Sequence, residues 1–192
     1  MLDTLPVRRG HFALESGLHT DRWFILDGLF VEPEAVAPRI DHLADLLRPH
    51  APSAVCGPLL GGAFLAQALA MRMGVRFYFT ELASSGGSDE MFAAKYRLPL
   101  ALQRRAVEER IAVVDDVISA GSSVRATVAA LHAVRAEVVA IGTLELLGTE
   151  AAAHFESQSL PLVAVARRAF DLWTPAECPL CRKGISLEAP TT

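Results

Sequence analysis

Cysteine is scarce: the 192 residues hold three, only two of them close in sequence. No disulfide framework can rest on that, and the count suits a reducing compartment. Positive charge is also short. Eighteen Lys and Arg against 22 Asp and Glu leave a net charge of -4, which argues against nucleic-acid binding through a broad basic field. No apolar run approaches the roughly 20 residues of a membrane span, and the opening MLDTLPVRRG lacks the apolar segment of a signal peptide. The expectation is a cytoplasmic protein with neither nucleic-acid nor membrane partners. Internal repeats and low-complexity tracts are missing too. What is plentiful is apolar side chain, 52% of the residues, enough for a sizeable core in a single domain over 1–192.

The segments alternate as in an α/β protein. Apolar residues at helical spacing over 33–47 end before Pro49, and 63–73 reads as an Ala-rich helix. Short apolar runs at 53–56, 75–80, 111–114, 138–147 and 162–166 read as strands. Between 81 and 110 the pattern fails: turn residues surround a short hairpin-like piece, as expected for a functional lid or a disordered insertion.

The stretch IAVVDDVISAGSS, residues 111–123, carries the chemistry. Ile111 to Val114 form a continuous apolar run of the kind expected for a strand covered on both faces. After Gly121, the residues Val124, Val128, Leu131 and Val134 recur at helical spacing, with Ser122 or Ser123 available as cap. The loop between lies at the carboxyl end of a strand, where open α/β sheets bind ligands. Small residues let the backbone approach a phosphate, and free N–H groups at the helix start point at it. Asp115 and Asp116 would repel a bare phosphate, but suit ribose hydroxyls or a magnesium ion shared with the ligand. The stretch GPLLGG, residues 57–62, repeats the strand, turn, helix logic.

VVDDVISAGSS resembles the phosphoribosyl pyrophosphate motif of type I phosphoribosyltransferases. The resemblance implies a central, mostly parallel sheet flanked by helices, with an N-terminal hood (1–32), a mobile lid (81–110) and a C-terminal tail (174–192). It implies Mg²⁺ as cofactor, and phosphoribosyl pyrophosphate and a nucleobase as substrates. Asp115 and Asp116 would take the ribose and the metal, Ser119, Ala120, Gly121, Ser122 and Ser123 the 5′-phosphate, and Leu59, Leu60, Gly61 and Gly62 the pyrophosphate.

The stretch GHFALESGLHTDRWFILDGLF, residues 10–30, is similar to the leader of orotate phosphoribosyltransferases, and CPLCRKGISL, residues 178–187, to the tail of one bacterial branch of them. Trp23 and Phe24 are the base-contact candidates, because aromatic rings stack on flat heterocycles. Orotate is thus the expected base and a homodimer the expected assembly. Three departures stand out. The lid offers only Lys95 and Arg97 as catalytic cations. Glu15 stands where some relatives place a phosphate-binding lysine. Glu145-Leu146 replaces an Asp-Arg pair whose arginine reads the base's carboxylate; with Leu146 facing the pocket, Arg22 or His19 would have to substitute. These departures keep two alternatives open, an enzyme for another base and a non-catalytic regulator that binds the same ligand.

Cys178 and Cys181 form one C-x-x-C pair. It reads either as a reduced turn or as half of a zinc site completed by a His or by another subunit, since a second ligand pair is lacking. The histidines show no ligand spacing; His11 and His19, eight positions apart, are as near as any pair.

Overall fold

The computed structural model describes residues 6–84 and 91–189. The first described elements form an antiparallel hairpin of β1 (Val7–Ala13) and β2 (His19–Phe24), separate from the main sheet. Gly17, at φ +80°, makes the turn, a conformation in which a Cβ would be strained.

α1 (Pro33–Leu47) turns Val36, Ile40, Leu43 and Leu47 inward. Then come β3 (Ala54–Pro58), α2 (Gly61–Met73), β4 (Arg76–Ser84), β5 (Lys95–Arg97), α3 (Leu100–Ala106), β6 (Arg110–Ile118), α4 (Ser122–Ala133), β7 (Glu137–Leu147), α5 (Glu150–Ser157), β8 (Leu162–Arg168) and α6 (Pro179–Arg182). The six-stranded sheet has the order β5-β4-β3-β6-β7-β8. Its pairs are parallel except β4 with β5.

Successive side chains of a strand point to opposite faces. In β6, Ala112 and Val114 pack with α1 and α2 residues such as Leu43, Leu65 and Leu69. Ile111 and Val113 pack on the other face with Val124, Val128 and Leu131 of α4 and Phe155 of α5. Helices on both faces explain why this strand is apolar without alternation. From β3 the chain moves outward to β4; from β6 it moves the other way to β7. The carboxyl ends of β3 and β6 therefore flank the point where strand order reverses, the ligand crevice of open α/β sheets.

Two elements correct the expectations. β6 does not end at Val114 but runs through both acids, because its ladder with β7 continues: Asp115 pairs with Thr143, Val117 with Glu145 and Ile118 with Leu146. The stretch 81–110 is not irregular throughout. β4 extends to Ser84 and pairs antiparallel with β5, with Glu81 opposite Arg97 and Leu82 opposite Tyr96, and α3 comes next. Residues 85–90 of the stretch read as a lid lie outside the described residues. Among the described residues no helix is long and apolar enough to cross a membrane.

Candidate active site

At the crevice the two glycine-bearing motifs touch. A Cβ on Gly57 would stand 2.0 Å from the carbonyl oxygen of Gly62, so only glycine lets β3 pass this close to the start of α2. A Cβ on Gly61 would lie 2.2 Å from Asp116 Oδ2, and one on Gly62 would lie 2.7 Å from Asp115 Oδ1. The carboxylates of β6 thus sit over the first residues of α2, where backbone dipoles favour negative charge. The turn before α2 has a cis Leu59-Leu60 peptide, and Leu59 N–H donates to the Thr80 carbonyl at 2.9 Å.

Asp115 and Asp116 are each 8% exposed. Asp115 accepts from Ser123 Oγ at 2.8 Å and from Asp116 N–H at 3.1 Å; Asp116 accepts from Val117 N–H at 2.8 Å. Neither pairs with a cationic side chain among the described residues. Burial, reinforced by the Asp116 charge, pushes Asp115 well above its ordinary value. Burial also raises Asp116, against the lowering pull of the Val117 hydrogen bond. Buried oxygens without a counter-charge are a hard donor set that suits Mg²⁺ or ribose hydroxyls.

The loop from Ser119 to Ser123 leads into α4 through Gly121, at φ +79°. It lines a cavity of about 280 Å³ whose opposite wall comes from the hairpin and the segment just past β2: Leu14, Glu15, Ser16, Trp23 and Leu26. Burial raises Glu15, partly offset by a hydrogen bond with Tyr96 of β5. Hood and loop therefore meet around one hollow, and Tyr96 ties β5 to its Glu15 wall.

Not every candidate side chain reaches it. Trp23 lines the cavity, while Phe24 packs against Phe170, ring centroids 5.9 Å apart, in a cluster with Leu147. Arg22 is held by Asp21 at 3.0 Å and Asp171 at 3.6 Å, and lies over the Phe170 ring. Arg97 pairs with Glu81 at 3.1 Å. Lys95, with Phe92, Tyr96, Ser122 and Arg125, borders a second hollow next to the loop. Leu146 does not face the pocket: it is fully buried in the core with Ile118, Val124 and Ala151. Its neighbour Glu145, equally inaccessible, is bonded to Arg168 of β8. His19 is no substitute cation either, since its ring meets His11. Arg125, stacked on Phe92 at 4.1 Å, was not singled out by the sequence; its place in the first turn after the phosphate motif was the available signal.

A family model, "Phosphoribosyl transferase domain", matches residues 34–154. The chain is similar to orotate phosphoribosyltransferases of Sulfurovum sp. (29% identical, covering 98% of this chain and 94% of the relative) and Thermotoga maritima (29%, covering 97% and 92%). Among solved structures it resembles the orotate phosphoribosyltransferase of Aeropyrum pernix at TM-score 0.64 and 24% identity, over 84% of this chain and 87% of that one. The adenine phosphoribosyltransferase of Thermoanaerobacter pseudethanolicus gives the same TM-score at 15% identity, over 77% and 88%. With its reversal-point crevice, paired acids and small-residue loop, and a family match over most of its length, this chain belongs to the phosphoribosyltransferase family.

Proposed function

We propose that the protein transfers the phosphoribosyl group of phosphoribosyl pyrophosphate to orotate, giving orotidine monophosphate and pyrophosphate. The observation that carries this reading is the single cavity walled by the Ser119–Ser123 loop on one side and by Glu15, Ser16 and Trp23 of the hood on the other. Phosphate and base can be held there at the two ends of one ribose. Two relatives named as orotate enzymes match nearly end to end, which supports orotate as the base.

In this reading the bond from the anomeric carbon to pyrophosphate breaks and the electron pair leaves with pyrophosphate, while a base nitrogen forms the new bond. Asp115 and Asp116 bind the ribose hydroxyls and hold the metal; when bound, Mg²⁺ supplies charge neutralisation for pyrophosphate. The N–H groups of the loop and the start of α2 orient the two phosphate ends, so positioning does most of the work. Lys95 comes from the β4–β5 hairpin to the departing charge, and Trp23 stacks on the base. No covalent nucleophile takes part.

The assembly we propose is a homodimer. α2 leaves Phe64 and Met71 exposed, at 52% and 79%, beside an apolar groove shared with Phe30, Val36 and Ile40; a second copy of this chain would cover it.

A second reading, transfer to another base, is favoured by the burial of Leu146 and the engagement of Glu145 with Arg168. Assays with Mg²⁺, phosphoribosyl pyrophosphate and orotate, uracil or adenine decide between them. Orotate is expected to be the best acceptor. Efficient uracil or adenine turnover without orotate turnover selects the second reading. Ligand binding without turnover of any base selects the regulator.

A further inference from the structure

Outside the residues that line the crevice, the hairpin and the tail bring four ligands to one point. Thr20 pairs with Phe12 and His19 with Ala13, which makes His11 and His19 diagonal neighbours on one face of the hairpin. The chain returns beneath them through Trp173, whose N–H and carbonyl exchange hydrogen bonds with His19, and delivers Cys178 and Cys181 at the start of α6. The ligand atoms of His11, His19, Cys178 and Cys181 all lie within 4.8 Å of one another. His11 Nε2 is 2.9 Å from His19 Nδ1, 3.4 Å from Cys178 Sγ and 3.7 Å from Cys181 Sγ. Cys181 Sγ is 3.3 Å from His19 Nδ1.

We propose that these four side chains bind one Zn²⁺ in a closed structural site. Zinc bonds of about 2.0–2.1 Å to nitrogen and about 2.3 Å to sulfur give tetrahedral edges of about 3.3–3.8 Å. The three sulfur-to-nitrogen distances just given fall on or near those edges, and the imidazole pair must open by a few tenths of an ångström.

The orientation of His11 supports a metal over a set of local hydrogen bonds. Its Nδ1 lies 2.7 Å from the Ile185 carbonyl, so Nδ1 carries the proton and Nε2 presents a lone pair inward. That is the outer contact which fixes the tautomer of metal-binding histidines. One lone pair accepts one hydrogen, yet three groups converge on it. A cation at the centre satisfies all four ligands at once.

Binding releases both thiol protons, so the +2 of zinc is balanced by two thiolates and the filled site is neutral. Neutrality suits a place where His11, His19 and Cys178 are buried; the exposed Cys181 leaves an entry path. Two nitrogens and two sulfurs in tetrahedral array suit zinc. The site would fasten the tail to the hairpin that carries Trp23, alongside the Glu188 N–H bond to the His11 carbonyl and the Arg8–Glu188 ion pair at 3.1 Å.

Elemental analysis of untagged protein grown with zinc and passed through a mild chelator is expected to give about one zinc per chain, released when a mercurial blocks the thiols. Cobalt added to metal-free wild-type protein is expected to show a thiolate-to-cobalt charge-transfer band and intense tetrahedral visible bands, a readout independent of any variant's folding. Cys181→Ser and His19→Gln are each expected to lower the zinc content and to expose the tail to hydrogen exchange. The proposal is overturned by metal-free protein that also gives no cobalt bands, by a Cys178–Cys181 disulfide in freshly isolated protein, or by full zinc content in both variants. Neither readout depends on the base used in the crevice.

Discussion

The carboxylate of Asp116 rests against the Cα of Gly61, where a methyl group would stand 2.2 Å from Oδ2. The acids of one motif and the glycines of the other are thus one construction: the second motif is glycine because the first is acidic and buried. Gly61→Ala adds a good helix residue at the first turn of α2, so fold stability is expected to change little while the displaced carboxylate loses ribose and metal. Gly57→Ala meets backbone, which cannot swing away, and is expected to destabilise the protein. Thermal melts together with calorimetric binding of phosphoribosyl pyrophosphate test the contrast. Equal affinity in Gly61→Ala and wild type would sink it.

A buried acid with a raised pKa costs stability once ionised. In the folded protein Asp115 holds its proton to higher pH than its ordinary 3.8, so the folded state binds more protons than the unfolded one. Stability without ligand therefore falls as pH rises from about that value through the raised one. Asp115→Asn keeps the shape, and Ser123 Oγ can turn from donating to Oδ2 to accepting from the amide. The variant is expected to melt a few degrees above wild type near neutral pH, about 2–4 °C for each kcal/mol gained, with the gap closing in acid. Ligand with Mg²⁺ should reverse the order, because only wild type gains by mass action. A variant less stable than wild type at every pH would contradict this account.

What the sequence made legible was local. The run of strand, small-residue loop and helix at 111–134 needs only neighbours to be read, and so does α1, whose bounds match its apolar spacing. Register and parity were not legible. In β7 both Glu145 and Leu146 are buried, at 3% and 0% exposed, since helices cover one face while Arg168 of the next strand receives the acid on the other. Period-two reading therefore could not say which residue faced the crevice. The same holds for His11 and His19: eight positions apart they carry no ligand pattern, and become neighbours only through the hairpin ladder. Trp23 and Phe24, adjacent in sequence, part company because alternate residues of β2 face different partners.

Lys95 and Arg97 lie on the same short edge strand but are not equivalent. Arg97 already has Glu81, in an exposed pair whose contribution to stability is at most about 1 kcal/mol. Lys95 stands at the hollow beside Ser122 and Arg125. Lys95→Ala is expected to lower kcat by about a hundredfold, as for loss of one donor to developing charge, with little change in affinity for phosphoribosyl pyrophosphate. Arg97→Ala should lose less. A raised KM with unchanged kcat in Lys95→Ala would instead make it a ground-state contact.

The aromatic pair gives the sharpest division between site and scaffold. Trp23 lines the cavity with Glu15 and Ser16, its ring 6.0 Å from that of Phe12, and in the proposed reading it is the one of the two that meets the base. Stacking of this kind contributes roughly 1–3 kcal/mol, so Trp23→Ala is expected to raise the KM for the base by roughly ten- to a hundredfold and leave phosphoribosyl pyrophosphate binding nearly intact. Phe24→Ala removes a ring packed on Phe170 and Leu147, and its cost should appear in the melting temperature instead. The protein has two tryptophans; with Trp173 changed to Phe, quenching of Trp23 emission by the base reports the contact directly. If the base leaves that emission unchanged while turnover persists, the base is held elsewhere in the hood, and Trp23 is a wall of the cavity rather than its platform.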